Sequence, residues 1–154
     1  MKRSSLERQA RAKAYSFLLL KFRQRSVKEL SARLKKKFDA QTAREVVRFL
    51  KKKDFIDDSR FARDWIASRL KKPLGLKRIR RELKIKGISE KIIDLQLEPL
   101  QDSYSEEDVI FGLACKRFKL LKGVETVKAK RRLFGYLARR GFSYSGIINA
   151  IKNL

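Results

Sequence analysis

At three points along this chain an apolar pair at helical spacing is followed by the same local context, which is the mark of a helical repeat. Leu30 and Leu34, Ile79 and Leu83, and Leu133 and Leu137 each lie four residues apart, on one face of a helix. The pairs are offset by 49 and then 54 residues. After each comes an apolar residue near a turn (Phe38, Ile88, Phe142), then a polar cap and a further short apolar-periodic stretch. One supersecondary unit repeated three times is predicted. β-type alternation is rare, and the only prolines are Pro73 and Pro99.

Helices are expected at 5–24, 27–37, 42–53, 59–71, 75–86, 90–98, 106–120, 126–140 and 144–152. Ser4 with Glu7, Ser26 with Glu29, Thr42 with Glu45 and Ser105 with Asp108 have capping-box spacing. Asp57 to Ser59, Ser89 and Ser143 stand where further N-caps are needed. Gly87 and Gly141 follow the fifth and eighth helices and suit a left-handed C-terminal position. The first unit, with Lys35-Lys36-Lys37-Phe38, has no such glycine. The expected fold is all-α, an elongated tandem array of three three-helix repeats. Its units are residues 1–56 (an N-terminal helical extension and the first repeat), 57–102 and 103–154. Each is too small to hold much stability alone, since below about 70–80 residues one core rarely supplies more than about 3–5 kcal/mol. The units should therefore lean on their neighbours. Phe61, Trp65 and Ile66 share one stripe of the fourth helix and are read as core, ahead of a base-stacking platform.

The 41 Lys and Arg against 17 Asp and Glu leave a formal charge of +24, which points to a polyanionic partner. Residues 89–108 reverse the sign, with seven acidic side chains and one basic, whereas 109–154 carry eleven basic and one acidic. No apolar stretch nears the ~18 residues of a membrane span, and no apolar run follows the basic N-terminus as in a signal peptide. Cytoplasmic residence is expected. With no His and the single Cys115, Ser–His and Cys–His pairs, imidazole metal ligands, thiolate zinc clusters and intrachain disulfides are excluded, and Cys115 reads as a small core residue. Asp54, Asp57 and Asp58 could hold magnesium in a nuclease, but helix capping accounts for them more simply. No catalytic residue, metal or cofactor is expected.

The positive signal is in the cations. Lys77, Arg80, Arg81 and Lys84 lie opposite the buried stripe of helix 75–86. Lys128, Arg131, Arg132 and Arg139 do so on helix 126–140, with Tyr136 read as internal, and helix 27–37 adds Lys28, Arg33, Lys35 and Lys36. Few carboxylates lie within one turn of these groups, which favours phosphate binding over a solvated face. Helix-turn-helix base reading is not expected, because the helix after Ser89 is acidic and apolar.

The run Asp57-Asp58-Ser59-Arg60-Phe61-Ala62-Arg63-Asp64-Trp65-Ile66-Ala67-Ser68-Arg69, then Gly75 to Ile88 (GLKRIRRELKIKGI), resembles the central signature of the RecX regulators of the RecA recombinase. Lys130 to Tyr144 (KRRLFGYLARRGFSY) is similar to that family's last repeat, and the resemblance spans about residues 14–151. It implies a monomeric array lodged in the groove of a RecA–DNA filament. Such a protein modulates, usually by inhibition, filament growth, ATP hydrolysis and strand exchange in recombination, DNA repair and the SOS response. The implied partners are RecA and single- and double-stranded DNA. The cations expected to meet them are Arg69, Lys71, Lys72, Lys77, Arg80, Arg81 and Lys84 centrally, with Lys128, Arg131, Arg132, Arg139 and Arg140 in the last unit. The alternative is a general basic nucleic-acid binder without a recombinase partner.

Overall fold

A computed structural model describes residues 2–100 and 103–154. They form nine α-helices and, among the described residues, no strand. The helices are α1 (Lys2–Phe22), α2 (Val27–Lys35), α3 (Ala40–Lys52), α4 (Asp58–Leu70), α5 (Leu76–Ile85), α6 (Glu90–Leu97), α7 (Glu106–Lys119), α8 (Thr126–Arg139) and α9 (Tyr144–Lys152), with a 3-10 turn over Glu98–Leu100. They group as three successive three-helix units, each with its own core, as the repeat predicts. The six apolar residues that define the repeat, Leu30, Leu34, Ile79, Leu83, Leu133 and Leu137, are all fully buried. Phe61 and Ile66 are buried with Ile79 and Leu83, while Trp65 packs at the edge of that core.

Capping explains most helix starts. Ser26 accepts from the Glu29 amide while the Glu29 side chain accepts from the Ser26 amide, so both arms of the capping box are present. Asp57, Ser89, Ser105 and Ser143 cap α4, α6, α7 and α9. Two expected caps are corrected. Thr42 lies inside α3, whose N-cap is Asp39; its Oδ1 accepts from the Thr42 amide and its Oδ2 from the Thr42 hydroxyl. Ser4 lies inside α1, which begins at Lys2. In both cases the hydroxyl-to-carboxylate spacing was present, but the chain was already helical upstream of it.

The middle helices of the units meet end to end. The buried Ser26 hydroxyl at the start of α2 donates to the Lys86 carbonyl at the end of α5, at 2.6 Å. Equivalently, the Gly75 amide at the start of α5 donates to the Arg140 carbonyl at the end of α8, at 2.9 Å. Positive helix N-termini thus face negative C-termini at both junctions. Gly87 and Gly141, with φ +81° and +82°, turn the chain at the two abutted C-termini. The end of α2 abuts no such partner; there the Lys37 and Phe38 amides both bond the Leu34 carbonyl, and no glycine is needed. The missing glycine of the first repeat is therefore a property of the terminal unit.

Further bonds tie the units together. Asp58 Oδ1 accepts from the Val27 amide at 2.9 Å, so a residue of the second unit caps a helix of the first. Lys86 Nζ reaches Glu29 at 2.6 Å. Arg140 donates to the Pro73 carbonyl and the Tyr104 hydroxyl to the Leu74 carbonyl.

Candidate nucleic-acid interface

Five of the twelve cations of the central unit, Arg69, Arg78, Arg80, Lys84 and Lys86, are ion-paired with carboxylates. Glu82, on α5, accepts from Arg69 Nε at 2.6 Å, Arg78 Nε at 3.2 Å and Trp65 Nε1 at 3.1 Å. Burial pushes the Glu82 carboxyl up, but these three donors outweigh it and hold the group below its usual range. On the other side of α5, Arg80 pairs with Glu90 at 3.0 Å and Asp94 at 2.6 Å, and Lys84 also pairs with Glu90. These acids come from α6, which folds back across α5.

The last unit differs at the matching positions. With α5 and α8 aligned through Ile79/Leu133 and Leu83/Leu137, Glu82 falls on Tyr136, and Arg80 falls on Phe134. The Arg80–Glu90 ion pair is replaced by the Phe134–Tyr144 edge-to-face contact, with ring centroids 5.7 Å apart. In place of the carboxylate hub, the Arg117 and Arg140 guanidiniums stand over the Tyr136 ring at 5.1 and 4.8 Å. None of the ion pairs found among the described residues involves a cation of residues 103–154.

Two clefts flank Tyr136. One, of about 620 Å³ between α7 and α8, is lined by Arg117, Lys128, Arg131, Arg132 and Arg139 together with Leu121 and Gly135. The other, of about 580 Å³ at the junction of the second and third units, is lined by Arg69, Lys72, Arg78, Arg139 and Arg140 with Leu74 and Glu82. Tyr136 and Arg139 line both, so the cations form one basic tract.

Models of the RecX first, second and third three-helix domains match residues 12–50, 57–95 and 105–151. The Regulatory protein RecX of Clostridium acetobutylicum is 36% identical over 94% of this chain and 68% of its own. The chain belongs to the RecX family. That of Chlorobium limicola is 32% identical over 93% of this chain and 89% of its own. Among solved structures, RecX from Lactobacillus salivarius superposes with a TM-score of 0.82 at 21% identity, covering 97% of each chain. A second crystal structure, of a regulatory protein RecX, gives a TM-score of 0.85 at 22% identity over 98% of this chain and 74% of that one. Both share this RecX fold.

The fold brings the sequence-predicted cations to different places. Lys128, Arg131, Arg132 and Arg139 gather in the cleft of the last RecX unit, and Arg69, Lys72 and Arg140 in the junction cleft. Lys71, Lys77 and Arg81 are exposed and line neither. Arg80 and Lys84, expected to have few acidic neighbours, are ion-paired across helices. Lys28 lies against Gly87, where its side chain leaves no room for a Cβ. Arg117, Arg78 and Tyr136 were not among the expected site residues. For Tyr136 the signal lay in aligning the repeats, where a tyrosine takes the place of a glutamate. Asp57 caps its helix, as expected, while Asp58 serves the neighbouring unit. Cys115 is only partly buried, the core position beside it being filled by Ala114. Among the described residues no helix is long and apolar enough to cross a membrane.

Proposed function

We propose that this protein regulates the RecA recombinase by lying in the groove of a RecA–DNA filament and restraining filament growth, ATP hydrolysis and strand exchange. It acts by binding in the cytoplasm, with no catalytic step of its own, as a monomer. Family membership supports the reading, and the repeated junction carries it physically. The contacts of Ser26 with Lys86 and of Gly75 with Arg140 are the same step taken twice. A surface that recurs along a line matches a partner that recurs along a line, and several weak engagements then reinforce one another through effective concentration. The cations of the last unit supply attraction to the DNA phosphates, and Lys77, Arg81 and Lys71 extend it toward the centre.

The test is the ATPase rate of RecA on single-stranded DNA, measured with substoichiometric protein across a salt series. A fall in rate that weakens as salt rises is expected. An unchanged rate at saturating protein refutes the reading.

A further inference from the structure

We propose that the cleft between α7 and α8 is a binding site for adjacent phosphate groups, as in a nucleic-acid strand or a nucleoside polyphosphate, and that the α5–α6 face is not. This rests on and deepens the reading above, which assigns attraction for DNA to the cations of the last unit at large but names no site for the phosphates.

Three observations converge. First, the cleft gathers five cations, four of them arginines, and no carboxylate lines it. Guanidiniums present paired donors that match phosphate oxygens, and clustered cations left without counterions favour a polyanion. Second, the repeat comparison isolates the change. Where α5 has Glu82 accepting from two arginines, α8 has Tyr136 with two guanidiniums on its ring and no acid to neutralise them. Third, Gly135 lies within α8, where glycine is unfavourable by about 1 kcal/mol relative to alanine. A Cβ there would meet only the tip of Arg139, at 3.2 Å, so packing does not call for glycine. It lines the cleft, and any larger side chain would project into it. A volume of about 620 Å³ falls in the range that holds a mononucleotide-sized ligand.

The test is calorimetric titration of the whole protein, without RecA, with inorganic tripolyphosphate, ATP and a short oligothymidylate. Saturable tripolyphosphate binding with one site per chain is expected. Both Gly135→Leu, which blocks the cleft without altering charge, and the pair Arg131→Gln with Arg132→Gln should weaken it about tenfold or more. The pair Arg80→Gln with Lys84→Gln should leave it unchanged, and circular dichroism of each variant reports folding. Oligothymidylate displaced by tripolyphosphate assigns the site to strand phosphates; tight ATP binding that the oligonucleotide does not displace assigns it to a free nucleotide. Either outcome upholds the site. Absence of saturable binding, undiminished binding in folded Gly135→Leu, or equal loss in the Arg80/Lys84 variant overturns it. A protein that binds tripolyphosphate yet leaves RecA ATPase untouched would refute the filament reading alone.

Discussion

Gly75 and Gly141 meet backbone to backbone. A Cβ on Gly75 would lie 2.1 Å from the Gly141 carbonyl oxygen, and one on Gly141 would lie 2.4 Å from Arg78 Cβ. Two glycines from different units thus set how closely α5 approaches the end of α8. Gly141 carries a second demand, since its φ of +82° strains any residue with a Cβ.

Gly141→Ala is expected to destabilise the protein by about 1–3 kcal/mol, combining backbone strain with displacement of Arg78. Gly75→Ala, whose extended backbone suits alanine, acts through contact alone. Hydrogen exchange should show the Gly75 amide losing protection while the core amides of α2 keep theirs. Unchanged protection at Gly75 would show that the junction yields without opening.

Leu83 is fully buried in the core of the second unit. Leu83→Ala should cost about 2–5 kcal/mol in urea unfolding, the usual range for a leucine truncation in a packed interior. A cost below about 1 kcal/mol would mean that the unit closes over the gap.

Acid titration should separate two junction carboxyls. Burial raises the Glu29 pKa, but hydrogen bonds from Arg23 and Lys86 outweigh it and bring it from 4.5 to about 2. Between those values the unfolded chain binds more protons than the folded one, so stability rises with pH. The Glu29 contribution is complete above pH 4.5 and is lost as pH falls toward 2. In Glu29→Gln the slope of unfolding free energy over this window should flatten.

Asp58 has the opposite sign. Burial raises its pKa above 3.8, and the Val27 amide only partly offsets this. Its ionisation is harder in the fold, so it lowers stability as pH rises through 3.8 toward the folded value. An asparagine keeps a carbonyl oxygen for the Val27 amide. Asp58→Asn should therefore be as stable as the natural protein at pH 7, or more so. A marked loss of stability would show that the negative charge itself is needed at the start of α2.

The ion pairs of Arg80 and Lys84 are partly solvated: Glu90 and Asp94 are 56% and 60% exposed. Replacing both cations with glutamine should change unfolding free energy by no more than about 1 kcal/mol. A loss above about 3 kcal/mol would place them among the structural contacts of the α5–α6 hairpin.

Helix type, repeat number and family were written in the sequence because they depend on neighbours along the chain. Four-residue spacing puts Ile79 and Leu83 on one face wherever the helix goes, and Ser26 and Glu29 cap α2 within a single turn. Caps misread at Ser4 and Thr42 lay in chain that was already helical, which spacing alone does not reveal. Tertiary structure alone decided which cations are free. The one acid within a turn of Arg80 and Lys84 is Glu82, two residues from each and on another face, yet α6 brings Glu90 and Asp94 to them through space. Tyr136 packs against the core of the last unit, as expected, but only the tertiary structure places Arg117 and Arg140 on its ring. Coulombic and hydrogen-bond energies depend on distance in space, whereas helical periodicity depends on distance along the chain; each was legible only at its own scale.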